Sequence, residues 1–315
     1  MAIDKKFIDQ FIKITSKAAL ASSFLIGKKD KIAADKASVD SMRLELNKIN
    51  MTGKIVIGEG TLDEAPLLYT GEFLGTQNGP IFDIAVDPVE GTNFVANNLP
   101  GGISVLAVAE KGNLFNAPET YMHKIATRKI DKGLIDLDYT LEKNIKNLSD
   151  FNNKDISSLT VCILDRPRHK IIINKLRELN VNIKLITDGD VLGALYVSDP
   201  KYNVDMYLGI GGGPEGVIAA SALDAYDCHF QGRFIFKNKE DAKEAKSMGI
   251  YDLDKKYELN EIIRGDSIFC ATGITNSDFL KGIIYDKDKF ISETLVTHKK
   301  SNYKKIVKKI NFINE

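Results

Sequence analysis

The chain has 315 residues, 43% hydrophobic and 27% charged, with 43 Lys+Arg against 43 Asp+Glu and a net charge of zero. That composition excludes wholesale disorder, and the length suits two domains or one large one. Neutrality removes the basic footprint expected of a nucleic-acid binder.

The first helix is expected near residues 7–24, where Phe7, Ile8, Phe11, Ile12, Ala18, Ala19 and Phe24 recur mostly at three- and four-residue steps. Lys13, Ser16 and Lys17 interrupt its apolar patch, so neither a signal peptide nor a membrane span is expected. Residues 27–35 read as a charged connection, and a second helix is expected over 36–49. Short β-branched runs then follow at 54–58, 81–86 and 102–109. They predict helices packed on a sheet that is at least partly antiparallel, with a hairpin turn at Glu110–Asn113. The stretch 128–158 is polar and poorly patterned, and a domain boundary is expected near its end. After it, strands at 159–164, 183–186 and 204–210 alternate with helices at 168–179, 191–197 and 214–226, which predicts a mainly parallel sheet. The expected division is therefore an α+β domain over 1–155 and an α/β domain over 156–315. The basic tail from His298 reads as a solvated face of a terminal element.

Three separated cysteines and four histidines without metal-ligand spacing point to neither a disulfide framework nor zinc. The chemistry lies in the acids. Glu59 follows a strand in Gly58-Glu59-Gly60. Asp87 and Glu90 follow another in Asp87-Pro88-Val89-Glu90-Gly91-Thr92. Pro88 is expected to help stop strand pairing, and a turn at Gly91 to bring Glu90 back beside Asp87. Gathered carboxylates stay ionised only against a cation, and oxygen-only ligands suit Mg²⁺ or Mn²⁺.

Two further signals sit after strands of the second half. The run Gly211-Gly212-Gly213-Pro214-Glu215-Gly216 lets backbone N–H groups approach an anion at a helix start. Its Glu215 reads as either a dipole partner or a further metal ligand. Arg166-Pro167-Arg168 offers planar forks for phosphate, and Asp188-Gly189-Asp190 offers acceptors for sugar hydroxyls. Ligands in open α/β sheets sit outside the carboxyl ends of strands, where these loops fall.

These segments, with Asp63-Glu64-Ala65-Pro66, Asn116–Met122 and Ala271–Thr275, resemble class II fructose-1,6-bisphosphatase over nearly the whole chain and in order. The Asp-Pro-x-Glu-Gly-Thr box also relates the chain to the lithium-sensitive, inositol-monophosphatase-like phosphatases. Those usually carry Asp where Glu90 stands here, which favours the class II branch. The resemblance implies an αβαβα layered sugar-phosphatase fold. It implies Mn²⁺- or Mg²⁺-dependent hydrolysis of the 1-phosphate of fructose 1,6-bisphosphate, a gluconeogenic step in the cytoplasm. It implies Asp35, Glu59, Asp87, Glu90 and Glu215 as metal ligands. Substrate would be bound by Glu90, Gly91, Thr92, Tyr121, Arg166, Pro167, Arg168, Asp188, Gly189, Asp190 and Gly212. Thr92 and Glu59 would act in catalysis, supported by Lys31 and Asp63, and the protein would be a homo-oligomer. Two departures stand out: Arg166 replaces the family's usual Lys, and Lys36 replaces the glycine after Asp35. Competing readings are an inositol- or nucleotide-phosphate phosphatase and a non-catalytic sugar-phosphate sensor.

Overall fold

The computed structural model describes residues 3–60 and 67–313. Its helices are α1 (Lys6–Ser23), α2 (Lys31–Leu46), α3 (Thr92–Ala96), α4 (Leu141–Asn152), α5 (Lys170–Glu178), α6 (Asp190–Leu195), α7 (Gly213–Ala225), α8 (Lys239–Ser247) and α9 (Leu259–Ile262). The strands are β1 (Thr52–Ile57), β2 (Phe73–Leu74), β3 (Ile81–Glu90), β4 (Ile103–Glu110), β5 (Tyr121–Thr127), β6 (Thr160–Leu164) and β7 (Asn182–Ile186). They continue with β8 (Met206–Gly212), β9 (His229–Ile235), β10 (Lys256–Glu258), β11 (Ser267–Gly273), β12 (Ile284–Asp286), β13 (Lys289–His298) and β14 (Tyr303–Phe312).

The chain falls into two compact units, Met1–Asn116 with Ile263–Glu315, and Ala117–Ile262. This corrects the division expected at 155/156. The reason is pairing: β11 lies beside β4, which returns the C-terminal segment to the first unit, and β5 lies between β8 and β9 in the second.

The sheet of the first unit runs β12-β13-β11-β4-β3-β1-β2, with β14 on β13. Only β1 and β3 are parallel; the other pairs are antiparallel. The stripe of α1 does what its period predicts. Phe7, Phe11, Ile14 and Ala18 bury against Ile84, Val86, Leu106, Val108 and Ile268 of the sheet. Phe7 meets Phe82 edge-on at 5.2 Å, and each such fully buried side chain contributes about 1.5–3 kcal/mol. The turn after β4 forms, with Asn113 N donating to Glu110 O at 2.9 Å. It leads out of the sheet rather than into a hairpin. The basic tail is β14; Lys305 and Lys308 are exposed, while Tyr303 and Val307 pack on the core.

α2 starts earlier than its apolar period suggests. Asp30 caps it, accepting from Ala33 N at 2.9 Å. Its first turns pack through small residues: Ala34 buries with Val89 and Val95, and Ser38 Oγ reaches the Pro88 carbonyl at 2.8 Å. Residues expected in a connection, Lys31 and Asp35, therefore stand one turn apart on one helix face.

The sheet of the second unit runs β10-β9-β5-β8-β6-β7. β8, β6 and β7 are parallel, whereas β5 is antiparallel to both β8 and β9. The α/β class is as expected, but this sheet is mixed rather than mainly parallel. β5 and β9 carry Lys124, His123, Gln231 and Arg233 among their apolar residues, which hides strand periodicity. α4 lies inside the polar, poorly patterned stretch 128–158; Thr140 caps it, and Ile145 and Leu148 bury in the core.

Candidate active site

In the first unit, parallel pairing sets the geometry. Ile57 on β1 is the register partner of Ala85 on β3. Glu59 and Asp87 each stand two residues beyond that pair, at one edge of the sheet. Pro88 does not end β3, contrary to expectation; the strand continues to Glu90 through a register shift. Asp87 pairs with Val105 and Glu90 with Ile103. Two residues, Pro88 and Val89, thus oppose one, Ser104, a β-bulge, and the extra residue turns Asp87 and Glu90 to the same side of the sheet. Gly91 then takes the left-handed conformation (φ 83°) that opens α3 at Thr92. Its missing Cβ matters, since a Cβ there would lie 2.8 Å from the Phe94 ring.

Asp35 reaches this edge from α2. Its carboxyl shares a hydrogen bond with Glu59, and burial raises its pKa while that hydrogen bond lowers it. Lys31 is exposed on the first turn of α2. Asp63 lies outside the described residues.

In the second unit, β6, β7 and β8 end at one edge. Antiparallel β5 begins there, with Tyr121 opposite both Gly212 and Ile235. The Arg166–Arg168 turn, Asp188–Asp190, Gly212, Glu215 and Tyr121 all belong to this edge. Arg166 Nη2 donates to Asp188 Oδ1 at 3.5 Å, and Arg168 Nε to Ile210 O at 2.9 Å. The Arg168 guanidinium also stacks on Tyr121, 4.9 Å from the ring centroid. Gly189 is left-handed (φ 81°) and opens α6 at Asp190. Pro167 starts a short 3-10 turn leading to His169. His169 is fully buried: Nδ1–H donates to Leu164 O at 2.7 Å, and Nε2 accepts from Ile210 N at 2.7 Å. Burial holds its pKa down, so it is a neutral strut between β6 and β8.

The glycine run, expected to approach an anion, has another use in the structure. A Cβ on Gly212 would lie 1.7 Å from Glu215 Oε2, and one on Gly211 2.0 Å from Asp190 Oδ2. The glycines leave space for two carboxylates. Burial raises the pKa of Glu215, which Lys124 opposes. Lys124 itself is 1% exposed and pairs with Asp190.

A cavity of about 410 Å³ opens at this edge, lined by Thr120, Tyr121, Gly212, Glu215 and Lys237 among others. The Lys237 ammonium lies 4.0 Å from the Tyr121 ring centroid. Lys124 and Lys237 escape the sequence reading. Lys124 sits in a strand with no motif, and Lys237 is one surface lysine among many. Lys237 had one available signal, its place just past a strand end.

The cysteines take no part. All three are buried and outside any disulfide, and burial pushes the Cys162 thiol up to about 12. For a divalent ion, the donor chemistry fits. Asp35, Glu59, Asp87 and Glu90 offer only oxygen, and the Asp35–Glu59 bond joins two acids that need either a shared proton or a cation between them. Among the described residues, three such side chains are nowhere gathered around one point.

A family model described as bacterial fructose-1,6-bisphosphatase, glpX-encoded, matches residues 5–311. A D-fructose 1,6-bisphosphatase class 2/sedoheptulose 1,7-bisphosphatase of Prochlorococcus marinus is 42% identical over 308 aligned residues, covering 93% of this chain and 92% of that protein. A protein of the same description from a Synechococcus species is 40% identical over 334 aligned positions, covering 98% of this chain and 96% of that one. The extragenic suppressor protein suhB of Bartonella henselae aligns in structure with a TM-score of 0.36, at 13% identity over 62% of this chain and 74% of that one. Identity of this size along nearly the whole length settles membership: the chain belongs to the bacterial, glpX-encoded fructose-1,6-bisphosphatase family.

Proposed function

We propose that this chain hydrolyses the 1-phosphate of fructose 1,6-bisphosphate, releasing fructose 6-phosphate and inorganic phosphate. Family membership supports the reading, and the carboxyl edge of the second sheet carries it. Arg166 and Arg168 supply planar donors for a phosphate, and Asp188 and Asp190 supply acceptors for sugar hydroxyls. Tyr121, Pro167, Gly189 and Gly212 complete the binding edge. Phosphate held there orients the ester, so that remote binding energy serves the reacting end.

In the same reading, Asp35, Glu59, Asp87, Glu90 and Glu215 hold Mn²⁺ or Mg²⁺. The ion supplies charge neutralisation for the phosphate oxygens. Gly91 and Thr92, at the left-handed start of α3, meet the reacting phosphate, and the Thr92 hydroxyl orients the attacking water. Glu59 polarises that hydroxyl, and Lys31 and Asp63 support the charge balance. The reading extends to a homo-oligomer and to a reducing, cytoplasmic setting, which three buried cysteines outside any disulfide suit.

The deciding experiment is phosphate release from fructose 1,6-bisphosphate by metal-stripped protein, with Mn²⁺, Mg²⁺ or EDTA added. Sedoheptulose 1,7-bisphosphate serves as a second ester, and Glu59→Ala as the control. Metal-restored release that the variant lacks is the expected result. Folded protein inactive with either metal refutes the reading.

A further inference from the structure

Lys124 enters the sheet of the second unit from β5, opposite Gly209 on β8 and Gly232 on β9. A lysine 1% exposed is rare, because an ammonium withdrawn from water must recover that cost through partners. It has two. Its Nζ pairs with the Asp190 carboxylate and donates to Gly212 O at 2.7 Å.

Those partners come from different strand-to-helix junctions. Asp190 is the first residue of α6, after β7, and Gly212 ends β8 and caps α7. One ammonium therefore ties together the segments that follow two parallel strands, β7 and β8, which lie on either side of β6. The surroundings are cut to fit it. A Cβ on Gly216 would lie 3.1 Å from Lys124 Cδ, and one on Gly211 would strike the Asp190 carboxylate. The second Asp190 oxygen, Oδ1, is buried without a hydrogen-bond partner, so the lysine is what balances this carboxylate.

We infer that Lys124 is a positioning residue for sugar-bisphosphate recognition, its buried ammonium fixing Asp190 and the Gly212 carbonyl so that both loops keep one binding register. The inference rests on the reading that these loops bind the sugar bisphosphate. Lys124 acts through Asp190 rather than on the substrate.

The test is a double-mutant cycle in the full chain: wild type, Lys124→Met, Asp190→Asn and the double variant. KM and kcat are measured on fructose 1,6-bisphosphate and on p-nitrophenyl phosphate, which lacks sugar hydroxyls and a second phosphate. Lys124→Met is expected to raise KM for the bisphosphate roughly ten- to hundredfold, the scale of a lost charge-assisted bond. It should leave the aryl ester much less affected. The double variant should be no worse than Asp190→Asn alone, because the lysine works through that carboxylate. It should also recover thermal stability over Lys124→Met, since both buried charges leave together. If Lys124→Met alone does not fold, comparing the double variant with Asp190→Asn still decides. Additive KM losses, or equal losses on both esters, overturn the inference. A wild type inactive on the bisphosphate refutes the functional reading itself, and the inference falls with it; the wild-type arm separates the two failures.

Discussion

Asp35 and Glu59 come from a helix and from the loop after a strand, yet their carboxyls share a hydrogen bond. Two carboxyls can share one only when a proton stands between them. Burial makes that arrangement costly for Asp35 in its charged form. Asp35→Asn is therefore expected to raise the melting temperature in EDTA. The same change should abolish the stabilisation that Mn²⁺ gives by binding the folded state. Phosphate release should fall on the order of 10²–10³-fold. Thermal melts with and without Mn²⁺, beside an activity assay, check all three. An unchanged Mn²⁺-dependent shift refutes the ligand role.

Thr92 opens α3 directly after left-handed Gly91. If its hydroxyl orients water, Thr92→Ser should keep most activity. Thr92→Ala should lose roughly 10²-fold or more in kcat, with unchanged metal affinity. Steady-state kinetics on both variants decide it; comparable rates in Ser and Ala variants remove the hydroxyl from the mechanism.

Lys237 is exposed beside Tyr121 and lines the cavity at the binding edge. Lys237→Ala should leave stability within about 0.5 kcal/mol, as surface changes do. KM for the bisphosphate should rise about tenfold, the loss of one charged contact to phosphate. Rates on p-nitrophenyl phosphate should stay near wild type. A KM that does not move places the lysine outside the site.

Gly212 and Gly58 separate function from folding. Gly212 has φ −64°, ordinary for any residue, and the three atoms nearest its added Cβ are all in the Glu215 carboxylate, the end of a flexible side chain. Gly212→Ala should keep its melting temperature while losing activity at least about tenfold through the displaced carboxylate. A Cβ on Gly58 instead lies 1.8 Å from the Leu68 carbonyl oxygen, which moves only with the backbone. Gly58→Ala should cost about 1–3 kcal/mol in urea unfolding.

Stability should also fall with acid through buried histidines. Burial brings the pKa of His229 down to about 4, from 6.5 in an ordinary setting. Between those values the unfolded chain holds the proton and the folded chain does not. The contribution of this group is therefore full above pH 6.5 and lost as pH falls toward 4. Across the window it amounts to on the order of 3 kcal/mol. His123 and His169, whose pKa values burial also lowers, act in the same direction. Urea unfolding at pH 7.5 and 5 measures the slope. His229→Gln should flatten it; an unchanged slope assigns the acid sensitivity elsewhere.

The placement of much of the candidate site at strand ends was legible in the chain itself. Glu59 just past β1, the acids in the last residues of β3, and the segments where β6, β7 and β8 end sit where strand ends bring them. Strands announce themselves through β-branched runs, although β3 runs on through Asp87-Pro88 to Glu90. Local rules of this kind need no knowledge of partners. The helix α1 was equally readable, because its stripe at steps of three and four marks one buried face.

The rest depended on long-range pairing. That Asp87 and Glu90 share a side follows from a bulge against β4, and no local signal in Asp-Pro-Val-Glu specifies it. The return of residues 263–315 to the first sheet, and the place of β5 between β8 and β9, depend on contacts distant in sequence. Lys124 shows the limit most plainly. By composition it is a charge in a polar segment, expected in water. Only the tertiary structure, by bringing Asp190 and the Gly212 carbonyl to its ammonium and leaving Cβ atoms out of the way, makes its burial affordable.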